Sequence, residues 1–138
     1  MNRIFSGLLC FWLLISSNAA LASDVACSYA GVFSTLAVDK ATSDISGYEI
    51  IITVSPYGHE VIFTEAQGNF PIKPVVVDAK VNDGWISFEV TVDSKQLSVK
   101  ARPTCSYLET NFSWSTGSTY TVSIPRTKSF WDNSKNHA

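Results

Sequence analysis

The stretch V-V-V-D-A-K-V-N-D-G-W-I-S-F-E-V-T-V-D-S-K-Q-L-S-V-K-A-R, residues 75–102, alternates apolar and polar side chains over most of its length. Val75, Val77, Ala79 and Val81 fall on one face of an extended chain, and Val76, Asp78 and Lys80 on the other. Successive side chains of a strand point to opposite faces, so this pattern hides one face and wets the other. Asn82-Asp83-Gly84 interrupts it, and Asp-Gly supplies the positive φ angles that a tight primed hairpin turn requires. Ile86, Phe88, Val90 and Val92 then alternate with Ser87, Glu89 and Thr91. Leu97, Val99 and Ala101 alternate with Gln96, Ser98, Lys100 and Arg102 in the same way. Three successive one-sided strands point to an antiparallel meander.

Outward from this stretch the chain continues in kind. Residues 48–55 (Y-E-I-I-I-T-V-S) are rich in β-branched side chains and end at the turn Pro56-Tyr57-Gly58. Residues 59–66 follow, with Val61 and Phe63 alternating against Glu60 and Thr64, until Q-G-N-F-P at 67–71 breaks the pattern. Segments 106–112 and 119–124 complete the set, and a short first strand is expected at 31–36. Residues 39–43 offer one helical turn at most, and no stretch of helical length carries a 3.6-residue apolar period. The prediction is an all-β fold, a single antiparallel domain of about eight strands, closed as an up-and-down barrel. A two-sheet β-sandwich satisfies the same alternation and is the alternative.

The N-terminus has a different character. Arg3 precedes an uncharged apolar run at 4–15, and a small-residue segment at 16–22 ends in Ala20-Leu21-Ala22. This is the pattern of a cleavable signal peptide spanning 1–22, cut between Ala22 and Ser23. A spanning helix needs about 20 apolar residues, more than the run provides. Neither Cys10 nor Cys27 has the flanking residues of a lipid-modified cysteine. The expected mature chain is a β-domain over 23–131 with a flexible tail at 132–138, secreted or periplasmic, without a membrane span.

Removal of 22 of the 138 residues leaves 116, enough for one domain with a modest core. It also removes one of the ten basic residues, leaving nine against twelve acids. That balance argues against nucleic acid as a partner, which requires clustered Lys and Arg. Cys10 departs with the signal, so Cys27 and Cys105 form an even pair in an oxidising compartment and are expected to be disulfide-bonded. No C-x-x-C motif and no His or acid at ligand spacing supports a redox or metal role, and no metal or cofactor is expected.

Several short patterns recur in order: Gly31-Val32-Phe33-Ser34, Ser46-Gly47-Tyr48-Glu49-Ile50, Phe63-Thr64-Glu65-Ala66-Gln67-Gly68, and Ser129-Phe130-Trp131. In this the chain resembles a loose group of small secreted bacterial proteins of unassigned function, with G-x-[WF]-S, S-G-x-E-[IL], F-x-E-x-x-G and S-[FY]-W. The resemblance implies a signal peptide followed by a β-barrel or β-sandwich and supplies no catalytic residues. Where the group leads one to expect a glycine-rich hairpin, this chain has Arg102-Pro103-Thr104-Cys105, a turn that a disulfide would hold.

Candidate site residues are few. His59, beside Glu60 at a strand start, is either a general base or an exposed polar residue at a hairpin end. No G-x-S-x-G elbow, zinc spacing, calcium loop or phosphate-binding glycine loop occurs, and no catalytic residue is assigned. Asn111-Phe112-Ser113 matches a glycosylation sequon that a bacterial-looking chain has no reason to use. Trp85, Tyr107, Phe112, Trp114, Tyr120, Phe130 and Trp131 either plug the barrel or anchor a partner, with Trp114 expected to be the most exposed. The leading expectation is a non-enzymatic binding protein that recognises or inhibits another protein. A lipocalin-like carrier of a small apolar ligand and, less favoured, a hydrolase using His59 are the alternatives.

Overall fold

The structure, a computed structural model, describes residues 27–68 and 73–130. The expected signal segment, the junction between Ala22 and Ser23, Trp131 and the tail at 132–138 lie outside these residues. The described residues form one antiparallel sheet of nine strands: β1 (Gly31–Ser34), β2 (Ala37–Val38), β3 (Ile45–Ser55), β4 (Gly58–Gln67), β5 (Val75–Asn82), β6 (Trp85–Val92), β7 (Lys95–Pro103), β8 (Tyr107–Trp114) and β9 (Thr119–Pro125). Their spatial order is β1-β3-β4-β5-β6-β7-β8-β9, with β2 also pairing to β3. Phe33 of β1 bridges to Arg126 just beyond β9, and the Thr127 N–H donates to the Val32 carbonyl at 2.9 Å. These contacts bring the two ends of the sheet together. The fold is the up-and-down barrel, nearly closed, and not two separate stacked sheets.

The alternation expected for the central stretch places its faces correctly. Ile86, Phe88, Val90, Leu97, Val99 and Ala101 are buried, while Ser87, Glu89, Ser98 and Lys100 are exposed. Phe33, Phe63, Phe88 and Phe112 meet in the barrel centre together with Ile50, Ile52, Val61, Leu108 and Ile124. Tyr48 stacks on Phe112 with ring centroids 4.9 Å apart, and Tyr120 lies 5.1 Å from Phe112 on its own side. Aromatic rings of this size supply most of the burial in a small barrel.

Local chemistry sets the turns. Asp83 and Gly84 have φ of 49° and 80°, the primed turn that Asp-Gly predicts. Asp93 and Ser94, with φ of 47° and 65°, form a second such turn between β6 and β7 without a glycine. At 104–107 the Thr104 side chain does the work of a glycine turn. Its Oγ1 donates to the Tyr107 carbonyl at 2.8 Å and accepts from the N–H groups of Ser106 and Tyr107. Gly47 permits the kink where β3 passes from β2 to β1: its φ is +115°, and a Cβ there would lie 2.5 Å from the Thr35 carbonyl oxygen. Residues 39–43 close a single turn, the Ser43 N–H donating to the Asp39 carbonyl.

Cys27 and Cys105 are disulfide-bonded across 78 residues, with Cα atoms 5.1 Å apart. Arg126 reinforces the same corner. Its guanidinium donates to the carbonyls of Ala30, Ser28 and Thr104 and lies over the Phe33 ring, 4.6 Å from the centroid. The segment leading into β1 is thereby fastened to the barrel by a covalent bond and by charge-assisted hydrogen bonds.

Candidate functional site

His59 shares the inward parity of Val61 and Phe63. It is half-buried, and its ring meets the Tyr29 ring edge-on at 6.0 Å. Among the described residues it makes no hydrogen bond to an acid or hydroxyl. The expectation of an exposed polar residue is corrected by its strand parity, which turns the imidazole toward the barrel end that Tyr29 covers. Glu60, its neighbour, is exposed on the outer face.

The late aromatic residues divide. Phe112 is buried, Trp114 and Tyr120 are half-buried, and Tyr107 is exposed. Trp114 is not the most exposed of them, because its indole packs against the core and its Nε1–H donates to the Tyr120 hydroxyl at 3.4 Å. Tyr120 and Tyr48 share a hydroxyl hydrogen bond of 2.8 Å. Burial, and then that hydrogen bond, raise the Tyr48 phenol above its ordinary range. The aromatic polar atoms at this mouth are thus engaged with one another. Trp85 lies on the outer face, with the Lys100 ammonium 4.9 Å from its ring centre. Asn111 accepts from the Thr121 hydroxyl at 2.7 Å across β8 and β9.

Two acids that the sequence presented only as parts of short patterns hold special positions. Glu49 is buried on the outer side of β3, between Ser34 and Thr64 in register. Its carboxylate accepts from the Ser129 hydroxyl at 2.8 Å and from the Phe130 N–H at 2.7 Å. The strand pattern around Glu49 and the terminal Ser-Phe pattern are therefore two halves of one contact. Glu65 faces the barrel mouth opposite Tyr48, and its Oε2 is buried without a hydrogen-bond partner among the described residues. Burial raises its carboxyl above the ordinary value, a hydrogen bond from Gln67 opposes this, and the nearby Asp93 charge adds to the rise.

Among the described residues, the outer face carries an irregularity of the sheet with room beside it. β5 pairs with β4 over 75–79 but with β6 only at Lys80, Val81 and Asn82. Beyond these three residues the two strands part, leaving a seam in which 75–79 and 88–92 each lack a strand neighbour on one side among the described residues. A groove of about 750 Å³ runs along it, lined by Val76, Asp78, Ser87, Glu89, Ser98 and Lys100 among others. The register counted from the Asp83-Gly84 turn sets Asp78 opposite Glu89, and like charges directly opposite one another weaken strand pairing. Glu60 is the register partner of Asp78 on the next strand, and Glu89 lines the groove on the far side of the seam from Asp78. The groove was not anticipated, although the charge pair could have been found by counting from the turn. Among the described residues no group of three His, Cys, Asp or Glu is placed to hold a metal, and no helix is long and apolar enough to cross a membrane.

These features define a small disulfide-linked meander barrel with a filled centre and a split outer wall. The chain matches no known family, no curated protein and no solved structure.

Proposed function

We propose that this is an exported, non-enzymatic binding protein that recognises another protein through its outer wall. The observation that carries the reading is the groove at the β5–β6 seam, set on a barrel whose centre is occupied by Phe33, Phe63, Phe88 and Phe112. A carrier of small apolar ligands needs its interior for the ligand. Here a groove lies on the outer wall, where Asp78, Glu89 and Lys100 and the hydroxyls of Ser87 and Ser98 stand beside Val76, Val77, Phe88 and Val99, the mixed apolar and polar lining of a protein contact. The disulfide and the signal pattern support export to the periplasm or beyond. Tyr57, fully exposed at the tip of the β3–β4 turn, offers a further aromatic anchor.

The test is cross-linking of the tagged chain in the envelope and culture fluid, followed by titration with the purified protein so captured. Saturable one-to-one binding is expected. Failure to recover any protein that binds when purified, together with a small apolar molecule co-purifying in native mass spectrometry, would overturn the reading in favour of a carrier.

A further inference from the structure

The two primed turns flanking β6 determine where its backbone groups point. In a two-residue primed hairpin the residues flanking the turn form a hydrogen-bonded pair, and bonded and non-bonded pairs alternate from there. Asn82 with Trp85 is such a pair, so Lys80 with Ser87 is the next, and Val81 with Ile86 is not. Continued past Lys80, the alternation turns the N–H and C=O groups of Asp78 and Val76 toward β6, and those of Glu89 and Thr91 toward β5. The second turn gives the same answer. Val92 and Lys95 flank Asp93-Ser94, so Val92, Val90 and Phe88 bond to β7, leaving Thr91 and Glu89 directed away from it. Four residues thus aim eight backbone donors and acceptors into a seam where no ladder is formed among the described residues.

Free strand edges of this kind are what extended polypeptides add to, because only a strand offers donors and acceptors at the matching spacing. The chemistry of the seam narrows the occupant. On the inner side lie Val77, Phe88 and Val90, continuous with the core; on the outer side lie Asp78 and Glu89, with Glu60 beside them on β4, while Lys80 and Lys100 flank Ser87 at the end of the groove nearer the Asp83-Gly84 turn. Glu89 is already steadied by Gln96 and Ser98 at 3.1 and 3.4 Å. A strand seated there sets alternate side chains over half-buried Val77 and the buried Phe88 and Val90, and the side chain between them beside Asp78 and Glu89.

We propose that the seam is a strand-acceptor site for an extended segment of the partner protein, about five residues long to match the 75–79 edge, with Lys or Arg centred on Asp78 and Glu89 and β-branched residues on either side. The proposal rests on the protein-recognition reading and specifies its site. The Asp78–Glu89 repulsion keeps the seam from zipping shut, and the incoming cation relieves it.

The probe is the capped peptide acetyl-Thr-Val-Lys-Val-Thr-amide, with a twin carrying Glu in place of Lys. Amide exchange is followed residue by residue in the oxidised chain. The Lys peptide should slow exchange at Val76, Asp78, Glu89 and Thr91 by tenfold or more and leave Val77 and Val90 unchanged; the Glu peptide should do neither. Combining Asp78→Lys with Glu89→Lys should exchange the two preferences. Asp78→Lys alone places a cation opposite Glu89 and should protect the four amides without any peptide. Equal binding of both peptides, or protection confined to other strands, would overturn the proposal. The two readings fail separately. A captured partner that binds the doubly reversed variant as well as the native chain removes the seam and keeps protein recognition. Protection by the peptide with no protein partner recovered keeps the acceptor and removes the wider reading.

Discussion

Glu65 carries a charge into a place that does not favour one. Its Oε2 is buried in the mouth without a hydrogen-bond partner among the described residues, and burial holds its carboxyl above the ordinary value of 4.5. A carboxyl whose value is higher in the folded chain than in the unfolded one keeps its proton longer when folded. Its contribution to stability therefore declines as pH rises through the interval between the two values. Glu65→Gln is expected to be more stable than the native chain near pH 7, with the difference closing below the ordinary value. Urea midpoints at about pH 3.5 and 7 check this, and an equal difference at both would refute it. The inward orientation of Glu65, like that of His59, was legible from its parity with Val61 and Phe63. The proximity of Asp93 was not, because it depends on the β6–β7 turn reaching the same end of the barrel.

The two primed turns show how far local chemistry reaches at the level of single elements. Asp83-Gly84 announces itself, since glycine adopts positive φ without penalty. Asp93-Ser94 takes the same shape with a serine at φ of 65°, where an L side chain is disfavoured by about 1–2 kcal/mol. Ser94→Gly should therefore stabilise the β6–β7 hairpin by about 0.5–1 kcal/mol, the freedom glycine adds to the unfolded chain offsetting the remainder. A rise in the thermal midpoint with unchanged spectra is the expected result, and a fall would show that Ser94 makes a contact worth more than the relief of its backbone. Seven of the strands lie within a residue or two of where alternation puts them; the two-residue β2 (Ala37–Val38) was not expected, and β3 starts at Ile45, before Gly47. There the kink against Thr35 hides the continuity of the strand from a pattern-based reading.

At the scale of the whole molecule, closure depends on a small area. β1 contributes four residues, and one bridge joins its Phe33 to Arg126, so the corner relies on the guanidinium bonds of Arg126 and on the Cys27–Cys105 bond. A crosslink spanning so long a loop contributes about 4–5 kcal/mol by restricting the unfolded chain, an upper figure for this bond. Reduced protein is expected to melt well below oxidised protein, and its amide exchange should quicken first in β1 and β9. Coincident melting curves would show that the corner holds without the bond.

Eight of the nine strands, their inward and outward faces, the Asp83-Gly84 hairpin and the cysteine pair were legible in the order of residues. Each follows from a period of two, from the φ preference of a turn residue, or from a count, and all are properties of neighbouring residues. The edges that close the barrel, the short strand β2, the hydrogen bonds that Glu49 accepts from Ser129 and Phe130, and the parting of β5 and β6 beyond Lys80 come into being with the folded sheet. These depend on the coiling of the whole sheet and on meetings between residues distant in the chain, and no local periodicity encodes them.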